Sequence, residues 1–97
     1  MRFQVYFTTD AEEDLAYFKI YEQRIIIDAI KQYLYENADQ ESGRRKKLQP
    51  NVLALWELKV ENYRVFYDFE EVAIVWINAI GYKKHNDLFI RGQKVKI

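Results

Sequence analysis

The chain has 97 residues, 49% hydrophobic and 16% aromatic, which is enough for one domain with its own core and too apolar for a disordered segment. It has no cysteine, so disulfides, thiol catalysis and sulfur-ligated metals are excluded. Fifteen Lys/Arg balance fifteen Asp/Glu, but the balance is uneven along the chain: residues 1–41 hold four basic and nine acidic side chains, residues 42–97 eleven and six.

A chain polarised in this way can offer a basic face to a polyanion while its acidic face resists non-specific contact. Uneven surface charge with no function is the plain alternative. The first residues alternate in polarity instead of forming the apolar stretch of a signal peptide. The longest nearly apolar run, Val72 to Gly81, falls well short of a membrane span. A cytoplasmic protein without membrane contact is expected.

Arg2 to Thr8 reads as a strand, with Phe3, Val5 and Phe7 on one face. A helix should start at Thr9 or Asp10, because Asp10 and Glu13 have capping-box spacing. Glu12, Glu13 and Asp14 read as a solvated first turn that complements the helix dipole. Helical spacing runs on through Leu15, Phe18, Glu22, Ile26, Ile30, Tyr33 and Leu34 with no Gly or Pro. A single helix over 10–36 would outrun so small a core, so a helical hairpin with a break near Lys19–Tyr21 is predicted. Residues 37–43 are polar and read as an exposed loop that leads into the basic run Arg44-Arg45-Lys46-Lys47 and a turn at Leu48–Asn51.

From Leu53 the period changes to two. Ala54, Trp56, Leu58 and Val60 line one face, with Glu57 and Lys59 on the other. Glu61-Asn62 is a tight turn, Asn62 being the residue suited to positive φ. The next strand sets Tyr63, Val65, Tyr67 and Phe69 against Arg64, Phe66 and Asp68. After a turn at Glu70-Glu71, Val72–Ile80 is apolar on both faces, as a central strand should be. The predicted class is α+β, in the order β-α-α-β-β-β, with a helical hairpin on one face of a largely antiparallel sheet.

Arg64 is the most informative single residue. It sits mid-strand on the face away from the helices, where a guanidinium needs a partner. A cross-strand pair with Glu57 and an anion-binding role both meet that need. Gly81 should end the central strand and release Lys83, Lys84 and the only histidine, His85, into a loop. A lone histidine beside two lysines is a candidate acid–base group. No second histidine or ligand-spaced carboxylate cluster accompanies it, so no metal or other cofactor is expected. The Arg44–Lys47 run is either a solvated loop or part of a site that converges on Arg64.

The segments Trp56-Glu57-Leu58-Lys59-Val60, Tyr63-Arg64-Val65-Phe66-Tyr67 and Ile80-Gly81-Tyr82-Lys83-Lys84-His85, with Phe89-Ile90-Arg91-Gly92, resemble the RelE/ParE superfamily of bacterial toxins. The likeness extends over nearly the whole chain, which it implies is a single toxin domain over 1–97. Its closing pattern is similar to the RelE and HigB translational repressors. The resemblance implies the toxin of a type II toxin–antitoxin pair, with a cognate antitoxin, the ribosome and messenger RNA as partners, acting as a metal-independent endoribonuclease (mRNA interferase). It implies catalytic roles for Arg64, Lys83, Lys84 and His85, and RNA binding by Arg44, Arg45, Lys46, Lys47 and Arg91. A ParE-like inhibitor of DNA gyrase and a decayed toxin that keeps only antitoxin binding are the alternatives. Where some RelE-type enzymes carry a C-terminal tyrosine this chain has Phe89, which can neither ionise nor donate; Tyr82 is the nearby phenol. The sequence pI, near 6.6, is also lower than in many such nucleases.

Overall fold

The computed structural model describes residues 2–97 as two helices on one face of a seven-stranded sheet. The elements are β1 (Gln4–Phe7), α1 (Thr9–Tyr17), α2 (Ile20–Leu34), β2 (Arg45–Lys47), β3 (Trp56–Val60), β4 (Tyr63–Glu70), β5 (Ile74–Lys84), β6 (Asp87–Ile90) and β7 (Gln93–Val95). Strands β2 to β7 follow one another antiparallel, and β1 adds to β5 in parallel. The α+β class and the helical hairpin stand as expected. Three strands were not expected: the basic run is an edge strand and not a loop, and β6 and β7 extend the sheet beyond β5. Among the described residues no helix is long and apolar enough to cross a membrane.

The helices begin at Thr9 and Ile20, within the predicted places, but the residue that caps α1 is not the one expected. Thr8 Oγ1, not Asp10, accepts the Ala11 N–H at 3.1 Å and starts α1. Phe18 and Lys19 are both extended, which breaks the hairpin. Glu22 accepts the Lys19 N–H at 3.1 Å and starts α2. Ile26, Ile30 and Leu34 of α2 then bury against Trp56, Leu58, Val65, Tyr67, Val75 and Ile77. Burial of each large aliphatic side chain contributes roughly 1.5–3 kcal/mol. The Tyr67 hydroxyl donates to the Ala38 carbonyl at 2.7 Å and so fastens the chain after α2 to the sheet.

The opposite sheet face has a smaller core of its own. Ala54, Phe66, Ala79 and Leu88 are buried there, with Leu53, Ile90 and Val95 against them. Ala54 therefore faces away from Trp56, contrary to the simple alternation. A bulge between Phe66 and Tyr67 shifts their β5 partners from Ala79 to Ile77. Asn78 falls between them, and its Nδ2 donates to Asp68 Oδ2 at 2.8 Å and to the Leu53 carbonyl at 3.1 Å.

One side of β5 is shared by β1, at Ile74–Ile77, and β6, at Tyr82–Lys84. Helix α1 fills the gap between them. Thr8 N–H donates to the Ile77 carbonyl at 3.0 Å, and Asp14 Oδ2 accepts the Ile80 N–H at 3.0 Å. Asp14 is thus 1% exposed and not part of a solvated turn, because it satisfies a backbone donor that neither strand reaches.

Gly81 does not end β5, which runs on to Lys84. At Gly81 the β6 backbone approaches so closely that a Cβ would lie 2.4 Å from the Phe89 carbonyl oxygen. His85 and Asn86, with φ of 52° and 67°, form a two-residue hairpin turn where a longer loop was expected. In the β3–β4 turn it is Glu61, at φ 53°, and not Asn62, that takes the left-handed conformation.

Candidate functional site

Cross-strand register sets out the face opposite the helices. Lys46, Glu57, Phe66 and Ala79 form one row, and Lys59, Arg64 and Gly81 the next. Strand alternation brings Lys83 to the same face, where its partner Leu88 joins the smaller core. Arg64, Lys46 and Lys83 therefore share a face, and Lys59 joins them directly across from Arg64. The same alternation sends Lys47 and Lys84 to the other face. His85 stands exposed in its turn.

Arg64 is held firmly. Its Nη1 donates to the carbonyls of Glu61 at 2.9 Å and Tyr63 at 2.8 Å. Its Nε lies 3.9 Å from Glu57 Oε2, and the two side chains are 13% and 15% exposed. That contact is an ion pair at the limit of reach, not a hydrogen bond. Both proposed roles for Arg64 thus remain compatible with its setting. Nη2 takes no part in the described hydrogen bonds. Among the described residues Lys46, Lys59 and Lys83 form no ion pair.

Arg44, Arg45 and Arg91 have tasks within the fold. Arg45 Nε donates to the Gln40 carbonyl in the loop at 2.7 Å and Nη1 to the Tyr33 carbonyl at the end of α2 at 3.3 Å. Arg44 lies over the Tyr33 ring, 5.0 Å from its centroid. Arg91 pairs with Glu13 at 3.0 Å and, through Nε, with Asp14 Oδ1 at 2.9 Å. The second contact is close enough for an ion pair but is not aligned as a hydrogen bond. Burial raises the Asp14 carboxyl above its ordinary value, opposed by the Ile80 N–H and the Arg91 charge.

Tyr82 and Phe89 stack at 5.4 Å on the helix side of the sheet, away from Arg64. Desolvation, and then the neighbouring Tyr17 phenol, push the Tyr82 phenol up. The Tyr63 phenol is also pushed up, by burial first and then by Glu22, to which it donates at 2.8 Å.

Between the helix junction and the β3–β4 turn lies a cleft of about 380 Å³, lined by Tyr17, Phe18, Glu22, Glu61, Asn62, Tyr63, Tyr82, Lys83 and Lys84. Sequence reasoning missed it. Its walls come from four separated segments, and only the run of aromatic residues hints at it.

Residues 5–86 match the family model described as the ParE toxin of the type II toxin–antitoxin system parDE. No curated protein sequence matches the chain significantly. Among solved structures, the crystal structure of the toxin–antitoxin complex RelBE2 from Mycobacterium tuberculosis contains a chain similar in fold. The TM-score is 0.68 at 17% identity, over 86% of this chain and 100% of that one. An identity that low speaks to the fold alone.

Proposed function

The chain belongs to the ParE toxin family of type II toxin–antitoxin systems, and from that premise we propose that it halts translation by cutting messenger RNA on the ribosome. One observation carries this reading. Arg64 is anchored through Nη1 while Nη2 makes none of the described hydrogen bonds, on a face where Lys46, Lys59 and Lys83 form no ion pair among the described residues and Glu57 is the acid beside them. Such a face suits a crowded phosphate. With Nη1 committed to two carbonyls, the Nε–Nη2 edge receives two non-bridging oxygens in place of Glu57, and surrounding ammonium groups neutralise the charge that builds on them.

In the reaction, a ribose 2′-oxygen attacks the adjacent phosphorus and the bond to the 5′-oxygen breaks. The products are a 2′,3′-cyclic phosphate and a free 5′-hydroxyl. The 2′-hydroxyl gives its proton to a base, and the leaving 5′-oxygen takes one from an acid. His85, exposed two residues beyond Lys83, is the residue suited to carry those protons, with Lys84 beside it. Of the basic run only Lys46 flanks the clamp along the sheet edge, while Arg44, Arg45 and Lys47 turn towards the helix side. The cognate antitoxin silences the toxin by covering this basic face.

The match to a ParE model favours a second reading, a toxin that inhibits DNA gyrase through protein contact. Mapping RNA 5′ ends after induction, with gyrase supercoiling assayed in parallel, separates the two. Cleaved messages with normal supercoiling are expected. Arg64→Ala should lower cleavage by about 10²–10³-fold, with partial rescue by Arg64→Lys. Intact messages with inhibited gyrase would overturn the reading; intact messages with normal gyrase would point to a toxin that has lost its chemistry.

A further inference from the structure

The cleft beside the β3–β4 turn has an aromatic wall assembled edge to face. Phe18 meets Tyr17 at 5.6 Å, Tyr63 at 5.4 Å and Tyr82 at 6.1 Å, each near perpendicular. Tyr17 remains 50% exposed and so presents ring surface to whatever enters. Two acids line the cleft: Glu22, which is spent, one oxygen taking the Lys19 N–H and the other the Tyr63 hydroxyl, and Glu61, exposed in the β3–β4 turn. Lys83 and Lys84 line the cleft and form no ion pair among the described residues. A flat aromatic surface next to unspent ammonium groups is the complement of an unpaired base on its phosphate.

Continuity with Arg64 decides between occupants. The two carbonyls that hold its guanidinium belong to Glu61 and Tyr63, which also line the cleft. Lys83 lines both this cleft and the depression beside β6 and β7. A protein segment would seek an open strand edge, but the Asn62 carbonyl at this end already accepts the Lys83 N–H at 2.7 Å.

We propose that this cleft is a nucleobase subsite, which takes one unpaired base of the RNA strand whose phosphate lies at Arg64. The base stacks on Tyr17; Lys84, on the helix face with the aromatic wall, holds one flanking phosphate, and Lys83, on the face of Arg64, holds the next as the strand passes between the two faces. The inference rests on the endoribonuclease reading and adds a recognition element to it.

The test uses purified protein and a 2′-O-methyl tetrauridylate, which has no free 2′-hydroxyl and cannot be cut. Amide shifts are followed on titration, with an abasic strand of equal length as the control. Shifts at Tyr17, Tyr82 and Lys83 are expected. Tyr17→Ala should weaken binding of the uridylate roughly tenfold or more and leave the abasic strand unaffected, while Tyr17→Phe keeps the ring and the affinity. Wild-type affinity in Tyr17→Ala, with shifts confined to the residues around Arg64, overturns the subsite and leaves the endoribonuclease reading standing. Shifts at the cleft with antitoxin but none with the uridylate overturn the subsite in favour of a protein occupant. Intact messages after induction fail the endoribonuclease reading on its own, whatever the titration gives.

Discussion

Replacing Gly81 with alanine tests the packing of the C-terminal hairpin most directly. The added Cβ would lie 2.4 Å from the Phe89 carbonyl oxygen, 3.0 Å from Ile90 Cγ1 and 3.1 Å from Leu88 Cδ1. Carbon and carbonyl oxygen ordinarily meet no closer than about 3.3 Å, so β6 must retreat by roughly 0.9 Å. The nearest obstacle is backbone, which cannot swing aside as a side chain does. Retreat loosens the pairing of Tyr82, Lys83 and Lys84 with β6 and withdraws Leu88 and Ile90 from Phe66 and Ala79. Overpacking of this kind costs about 1–3 kcal/mol, and a backbone clash belongs near the upper figure. At about 4–8 °C per kcal/mol for a domain of this size, the melting temperature should fall by roughly 12–24 °C. Thermal and urea unfolding, followed through tryptophan fluorescence, measure the loss. Gly43 supplies the control, since a Cβ there would meet nothing within 4 Å: Gly43→Ala should be neutral or slightly stabilising. A Gly81→Ala protein that melts within about 2 °C of the wild type would refute the reasoning.

Asp14 should give an inverted pH dependence. Its carboxyl is raised in the folded state, chiefly by burial, so the native protein binds that proton more tightly than the unfolded chain. The stability of the wild type relative to Asp14→Asn should therefore rise as pH falls from neutrality towards the unfolded value near 4; urea titrations across that window showing the opposite slope would count against it. Tyr67→Phe should cost about 1–2 kcal/mol in denaturant unfolding, because it leaves the Ala38 carbonyl without its donor. Arg45→Ala should fray the end of α2 and speed amide exchange in its last turn, since the guanidinium serves the carbonyls of Tyr33 and Gln40; unchanged exchange would mean water replaces it without cost.

Much of the fold is legible in the chain because alternation is reliable where one face is buried. Trp56, Leu58 and Val60 against Glu57 and Lys59 fix β3, and Tyr63, Val65 and Tyr67 against Arg64 fix β4. The strand Arg45–Lys47 hides because its side chains are all cationic, and charge on an edge strand guards the edge without advertising a strand. Gly81 reads as a terminator because glycine usually marks an end, whereas its reason here is a backbone eight residues further on. Asp14 misleads because its partner, Ile80, is 66 residues away. The face that bears Arg64 follows from period two, but its company does not: Lys59 and Lys46 join through register, which no single strand contains. The aromatic cleft is still less visible, since it exists only once the helix junction meets the β3–β4 turn.

The parallel pairing of β1 with β5 governs the order in which a nascent chain can finish folding. Gln4 waits for Ile74, 70 residues downstream. At about 5–20 residues per second of synthesis, that wait is roughly 4–14 s, whereas helices form in about a microsecond. The α1–α2 hairpin therefore stands for seconds with its apolar face uncovered, and Val5 and Phe7 remain an unpaired strand throughout. A peptide terminated before residue 74 lacks the strand that β1, β4 and β6 all join, so its sheet cannot close. Prematurely ended fragments should be prey for proteases and chaperones, and no partial product carries the completed surface around Arg64. The hazard of the folded domain appears only when the last quarter of the chain has been made.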